Sequence, residues 1–286
     1  MSLDIPVTQF CAMAQLQPDH ILNTIPALGI ELEYEGCTGE FEPLTYWSVG
    51  SDGSLRNGGI ELVSAPLAFD AVEAALLEAE HAVELTSCVS TERCGLHTHI
   101  NMRPYTIGQV WSFATLYALI EPTLFASFAQ GREESVFGVP LWTNAPQIHA
   151  LYRDICHIRS MRDPNTMRVA LVTSTCKYSA MNVSSLGRLG TIEMRQPYGS
   201  NDFTAISIWT EFIMRLHDSG VSFNDPEEVL ELYEKAQLGQ LQEELFGQTY
   251  NIDETLQEKA EDAAYFISGY REPYWEELEW SIEETA

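Results

Sequence analysis

The sequence is short of positive charge. Its 286 residues carry 15 Lys and Arg against 42 Asp and Glu, a formal net charge of −27. A field this negative repels phosphate backbones and anionic headgroups, which argues against nucleic acid and membrane surfaces as partners. Long apolar runs are also missing. The most apolar stretch, Val110 to Ala129, is interrupted by Glu121 and Pro122, and reads as a buried core helix, not a membrane span. The opening MSLDIPVTQF has no basic n-region and no apolar h-region. The six cysteines form no C-x-x-C pair, and their spacings indicate neither a disulfide framework nor a zinc cage. A reducing cytoplasm is the expected compartment. Familiar catalytic signatures are absent as well. There is no G-x-x-x-x-G-K-[ST] phosphate loop, no G-x-G-x-x-G, no G-x-S-x-G elbow and no H-E-x-x-H zinc motif.

What remains is an ordinary globular composition, 45% hydrophobic, long enough for one large or two small domains. Charge is uneven along the chain. Residues 153–195 hold 7 basic and 3 acidic groups, whereas residues 221–286 hold 3 and 18. The basic island can receive a small anion even though the whole surface repels one.

Short strand-like segments alternate with helical ones. The strands are Ala27–Gly36, Gly58–Pro66, Cys94–Met102, a segment starting at Lys177, and Gly190–Gly199. Helical spacing is expected over Ala68–Leu85, over Thr106–Phe128 with Thr106 as N-cap, over Pro146–Arg159, and from an Asn201 or Asp202 cap to about His217. Pro226–Leu245, Glu254–Ile267 and Trp275–Trp280 read as acidic helices. The strands alternate polar with apolar, which favours an antiparallel sheet with one covered face and an α+β fold. The expected organisation is an N-terminal arm over 1–25, a catalytic domain over 26–220, and an acidic helical region over 221–286 packing on the same domain.

Side chains on a strand alternate faces. Ile30, Leu32 and Tyr34 therefore oppose Glu31, Glu33 and Glu35. Likewise Ile60 and Leu62 oppose Glu61, Leu96, Thr98 and Ile100 oppose His97, His99 and Asn101, and Ile192 and Met194 oppose Glu193 and Arg195. If these strands share a sheet, one face collects five carboxylates, two imidazoles and an arginine. Carboxylates at i and i+2 lie about 6.5–7 Å apart. Each costs several kcal/mol to desolvate unpaired, and divalent cations are the simplest remedy. Mostly oxygen ligands favour Mg²⁺, and the imidazoles extend the choice to Mn²⁺. A single E-x-E or H-x-H is more often a solvated face, and Glu193 with Arg195 is by itself compatible with a simple ion pair; the weight lies in the fourfold repetition of one design.

In order, GIELEYE, SDGSL, GIELVSAP, GLHTHIN, KYSAMNV and GTIEMRQPYGSND resemble the amidoligase family. These are carboxylate–amine ligases that share a catalytic fold with glutamine synthetase and glutamate–cysteine ligase. The resemblance spans Gly29 to Asp202. It implies a curved, mainly antiparallel sheet with helices on its convex face, and ATP with two or three Mg²⁺ or Mn²⁺ ions on the concave one. It implies Glu31, Glu33, Glu61, His97 and Glu193 as metal ligands, His99 near the phosphates, and Arg195 and Lys177 on the phosphates. Arg132 is a further phosphate or carboxylate candidate. The implied reaction passes the γ-phosphoryl of ATP to a carboxylate, and an amine then displaces phosphate. Glu35 and Glu61 are the two candidates for accepting the amine proton. An amino-acid or peptide substrate follows from the analogy alone. The rival readings are a phosphotransferase on the same fold and a non-catalytic scaffold.

Overall fold

A computed structural model describes residues 4–13, 25–143, 178–247 and 254–268. It shows seven strands in one open, antiparallel sheet. They are β1 (Ala27–Tyr34), β2 (Trp47–Ser51), β3 (Ile60–Ser64), β4 (Leu67–Ala68), β5 (Leu96–Asn101), β6 (Met181–Asn182) and β7 (Thr191–Met194). The order is β2-β3-β1-β5-β7-β6, with β4 on the other half of β1's edge. Registers place Glu33 opposite Glu61, Glu31 opposite His97, and His99 opposite Glu193. Residues distant in sequence thus become neighbours on one face.

The other face is apolar. Ile30, Leu32, Leu62, Leu96, Ile100, Ile192 and Met194 are buried in one core with α2 (Val72–Thr86), α3 (Ile107–Phe128) and α5 (Phe203–Gly220). Thr98, a polar residue on this face, accepts a 3.0 Å hydrogen bond from the Trp209 indole of α5. Helix α3 starts at a capping box, in which Thr106 and Gln109 satisfy each other's backbone amides. It is buried along nearly its whole length because α5, α6 (Pro226–Phe246) and α7 (Glu254–Ser268) surround it. No helix among the described residues is long and apolar enough to cross a membrane. Asp202 caps α5, accepting from Thr204 and Ala205 amides. The short α1 (Val7–Met13) follows residues that pair with 105–107 through the Val7–Tyr105 and Ile107–Ile5 backbone bonds.

Three features differ from the sequence expectation. Strand β2 is an exposed edge without apolar alternation, so no periodicity marks it. The expected strand from Lys177 is only two described residues long and turns into α4 (Ser184–Leu189). Asn182 starts that turn by accepting from the Ser184 amide at 3.0 Å. Finally, Cys37 and Cys88 form a disulfide. The antiparallel bridge between Glu35 and Val89 brings their chains together, a tertiary pairing that spacing does not encode. It removes the cysteine argument for a reducing compartment, since such bonds persist mainly where conditions are oxidising. Pro146–Arg159, Lys177 and Trp275–Trp280 lie outside the described residues.

Candidate metal and phosphate site

The polar face is a cup whose walls come from five strands. Glu31 sits at its centre. His97 Nδ1 lies 3.2 Å from Glu31 Oε2, and His99 Nε2 lies 3.1 Å from Glu31 Oε1. On β7, Glu193 Oε1 lies 3.9 Å from both imidazoles. Its other oxygen accepts from Asn182 Nδ2 at 2.8 Å. Glu33 accepts from the Gly95 amide at 2.7 Å. Glu33, His97, His99 and Glu193 are all buried.

Three overlapping sets bring ligand atoms within 4.8 Å of one another: Glu31–Glu61–His97, Glu31–His99–Glu193, and Glu33–Asp52–Glu61. Glu31 and Glu61 each serve two sets. The charge crowding is visible in their protonation. Burial and the negative charges of Glu31, Glu33 and Asp52 push Glu61 up to about 7. Burial raises Glu33 also, helped by Asp52. Burial works against ionised Glu31 too, but the hydrogen bonds and charge of His97 and His99 outweigh it and hold that carboxyl low. Burial opposes ionised Glu193 as well, yet Arg195 and the two histidines hold it low. A cation would relieve the repulsion that loads Glu61, and the oxygen-rich donor sets fit Mg²⁺ or Mn²⁺.

Three cavities meet at Glu31. A polar one of about 270 Å³ is lined by Glu31, Glu33, Asp52, Glu61 and His97, and by Arg93, Arg132 and Arg195. An apolar one of about 230 Å³ lies beyond His99, bounded by Ala27, Gly29, Val63, Pro66, Leu189 and Arg103. The small residues Ala27 and Gly29 create this hollow, because they continue the same face of β1 that bears Glu31. A third, bounded by Asn182, Ser185, Arg188 and Glu193, opens beside His99.

Arg195 pairs with Glu193 and donates from Nε to the Phe137 carbonyl at 3.3 Å. Arg132 is buried, donates from Nη1 to the Cys94 carbonyl at 3.0 Å and stacks over Tyr198. Its Nε has no hydrogen-bond partner among the described residues. Glu35 does not join the cup. Its carboxylate accepts from the Arg56 amide at 2.6 Å and the Thr91 hydroxyl at 3.1 Å. Cys94 is wholly buried on this side of the fold, its thiol 3.6 Å from the Thr91 hydroxyl.

Two residues escaped the strand-alternation reading. Asp52 follows β2 in a turn, where alternation says nothing, although it lies in the quoted SDGSL segment. Asn182 reaches Glu193 only through the β6–β7 pairing.

No curated protein matches the chain. The sequence model of the family described as putative amidoligase enzyme matches residues 31–217, from the central glutamate of the cup to the last turn of α5. The chain therefore belongs to this amidoligase family, a family of ligases.

Proposed function

We propose that this protein is an ATP-dependent carboxylate–amine ligase acting through an acyl phosphate, on a sheet related to the catalytic fold of glutamine synthetase. The carrying observation is that two carboxylate-rich ligand sets, Glu31–Glu61–His97 and Glu33–Asp52–Glu61, line one cavity with Arg93, Arg132 and Arg195, and that the third set shares Glu31 with them. Phosphoryl transfer asks chiefly for positioning and charge neutralisation. Bound Mg²⁺ or Mn²⁺ would supply neutralisation of the β- and γ-phosphates. Glu31, Glu33, Asp52, Glu61, His97, His99 and Glu193 would hold two or three ions. Arg195, with Lys177 in the basic island, would meet the transferring phosphoryl oxygens. Arg132 and Arg93 would orient the acceptor carboxylate, while the apolar hollow beyond His99 suits the adenine ring.

In the first step a carboxylate oxygen attacks the γ-phosphorus, and ADP leaves. In the second an amine nitrogen attacks the acyl carbon and the C–O bond to phosphate breaks. The amine loses a proton, and Glu61 would accept it; in favour of Glu61 over Glu35 is that it lines the polar cavity. An amino acid or peptide carries the chemistry required of both substrates.

The test is purified protein with ATP, Mg²⁺ and amino-acid mixtures, followed by phosphate release and product mass. The expected product is an amide lighter than its two precursors by one water. Glu31→Ala and Glu193→Ala should abolish turnover while leaving the fold intact. Full activity in either folded variant refutes the metal assignment. A stable phosphorylated product without amide identifies a phosphotransferase instead.

A further inference from the structure

Beneath the cup, a carboxylate with no part in it is buried in the middle of α3. Glu121 is fully inaccessible to solvent. A carboxyl group in such a place loses its solvation, and stability alone does not favour it over an apolar residue. Its contacts all lead toward Arg195. Oε2 accepts from the Leu141 amide at 2.7 Å and the Trp142 amide at 3.3 Å. Oε1 accepts from the Tyr117 hydroxyl at 2.6 Å. That hydroxyl in turn contacts the side-chain amide of Gln196, the residue after Arg195.

The two routes end at the same arginine, one on the loop bonded to it and one on its neighbour Gln196. Leu141 and Trp142 close the loop that begins at Arg132 and contains Phe137 and Gly138. Phe137 gives its carbonyl to Arg195 Nε, and Gly138 lies so close to β7's end that a Cβ there would be 2.9 Å from the Arg195 carbonyl oxygen. Val139 hydrogen-bonds to residues 178 and 180, and Ala180 accepts the Arg195 amide at 2.8 Å. The far side of Trp142 is covered by Lys259 of α7, its ammonium 4.7 Å from the ring centre.

We propose that Glu121 is a positioning residue, which fixes Arg195 by two routes, through the Leu141–Trp142 amides and through Tyr117 and Gln196. It touches neither the ligand sets nor the cavity. Replacing it therefore changes the aim of the guanidinium and leaves the metal ligands where they are. The kinetic arm of the test rests on the ligase reading; the exchange arm does not.

Three variants separate the routes. Glu121→Leu removes both, Tyr117→Phe removes only the Gln196 route, and Glu121→Gln keeps an acceptor for the 141–142 amides while its NH2 replaces the oxygen that accepted from Tyr117, so that contact survives with its direction reversed. Backbone hydrogen exchange and Mn²⁺ calorimetry are measured on each, with kcat and KM for ATP. In Glu121→Leu, the amides of 137–139, 141, 142 and 195 should exchange at least tenfold faster and kcat should fall at least tenfold. Mn²⁺ affinity and the ATP KM should move less than threefold. Tyr117→Phe should give an intermediate kcat, and Glu121→Gln should restore most of it. Unchanged exchange and kcat in folded Glu121→Leu overturn the proposal. So does a Glu121→Gln variant as impaired as Glu121→Leu, or a loss of Mn²⁺ affinity in step with kcat. If the native chain turns over no ATP, the ligase reading fails, while the exchange rates and Mn²⁺ affinity still decide the role of Glu121.

Discussion

The burial of Glu121 has a measurable consequence for stability. Loss of solvent pushes its carboxyl up to about 8 from an ordinary 4.5, although Tyr117 and the Leu141 and Trp142 amides favour the ionised form. Between those pH values the unfolded chain has lost this proton and the folded chain keeps it. The unfolded state then binds fewer protons, so stability falls as pH rises. The contribution is fully present below about 4.5 and is lost by the time pH passes about 8. The slope is at most about 1.4 kcal/mol per pH unit, giving an upper bound of about 5 kcal/mol over the window. Glu121→Gln has nearly the same shape and does not titrate. Urea unfolding of both proteins at pH 5, 6, 7, 8 and 9 isolates this one group, because other titrating residues are common to the pair. The native protein should lose stability relative to Glu121→Gln at each step up to pH 8, then level off. A difference independent of pH would show that Glu121 is ionised throughout, and would refute the desolvation reasoning.

Two further predictions concern the scaffold. Gly190 ends α4 at φ 69°, and a Cβ there would lie 2.6 Å from the Arg103 side chain. Gly190→Ala should cost about 1–2 kcal/mol through the left-handed backbone and the displaced arginine; a loss below about 0.5 kcal/mol by urea unfolding would contradict this. The Cys37–Cys88 bond links residues 51 apart, so the double Cys→Ser variant should lose about 2–4 kcal/mol. Free-thiol titration showing both cysteines reduced in the purified protein would remove the basis for it.

Much of the cup was legible in strand periodicity. A period of two assigns Glu31, Glu33, Glu61, His97, His99, Glu193 and Arg195 to faces without knowledge of pairing, because backbone geometry alone dictates alternation. Glu35 obeys the same alternation yet serves a loop, since β1 ends at Tyr34 and the chain leaves the sheet beside it. Alternation cannot report where a strand stops facing its neighbours.

The sequence by itself determined which residue types face together on each strand, the capped helices at Thr106 and Asp202, and the six ordered motifs that carry the family. Only the tertiary structure decided which strands adjoin. That register makes Glu31 and Glu61 members of two candidate ligand sets each, adds Asp52 from a turn, and joins Cys37 to Cys88. It also joins Glu121 to the 141–142 amides and, through Tyr117, to Gln196. These pairings link residues tens of positions apart, and their free energy comes from burial and desolvation in the assembled core, which no local pattern of residues contains.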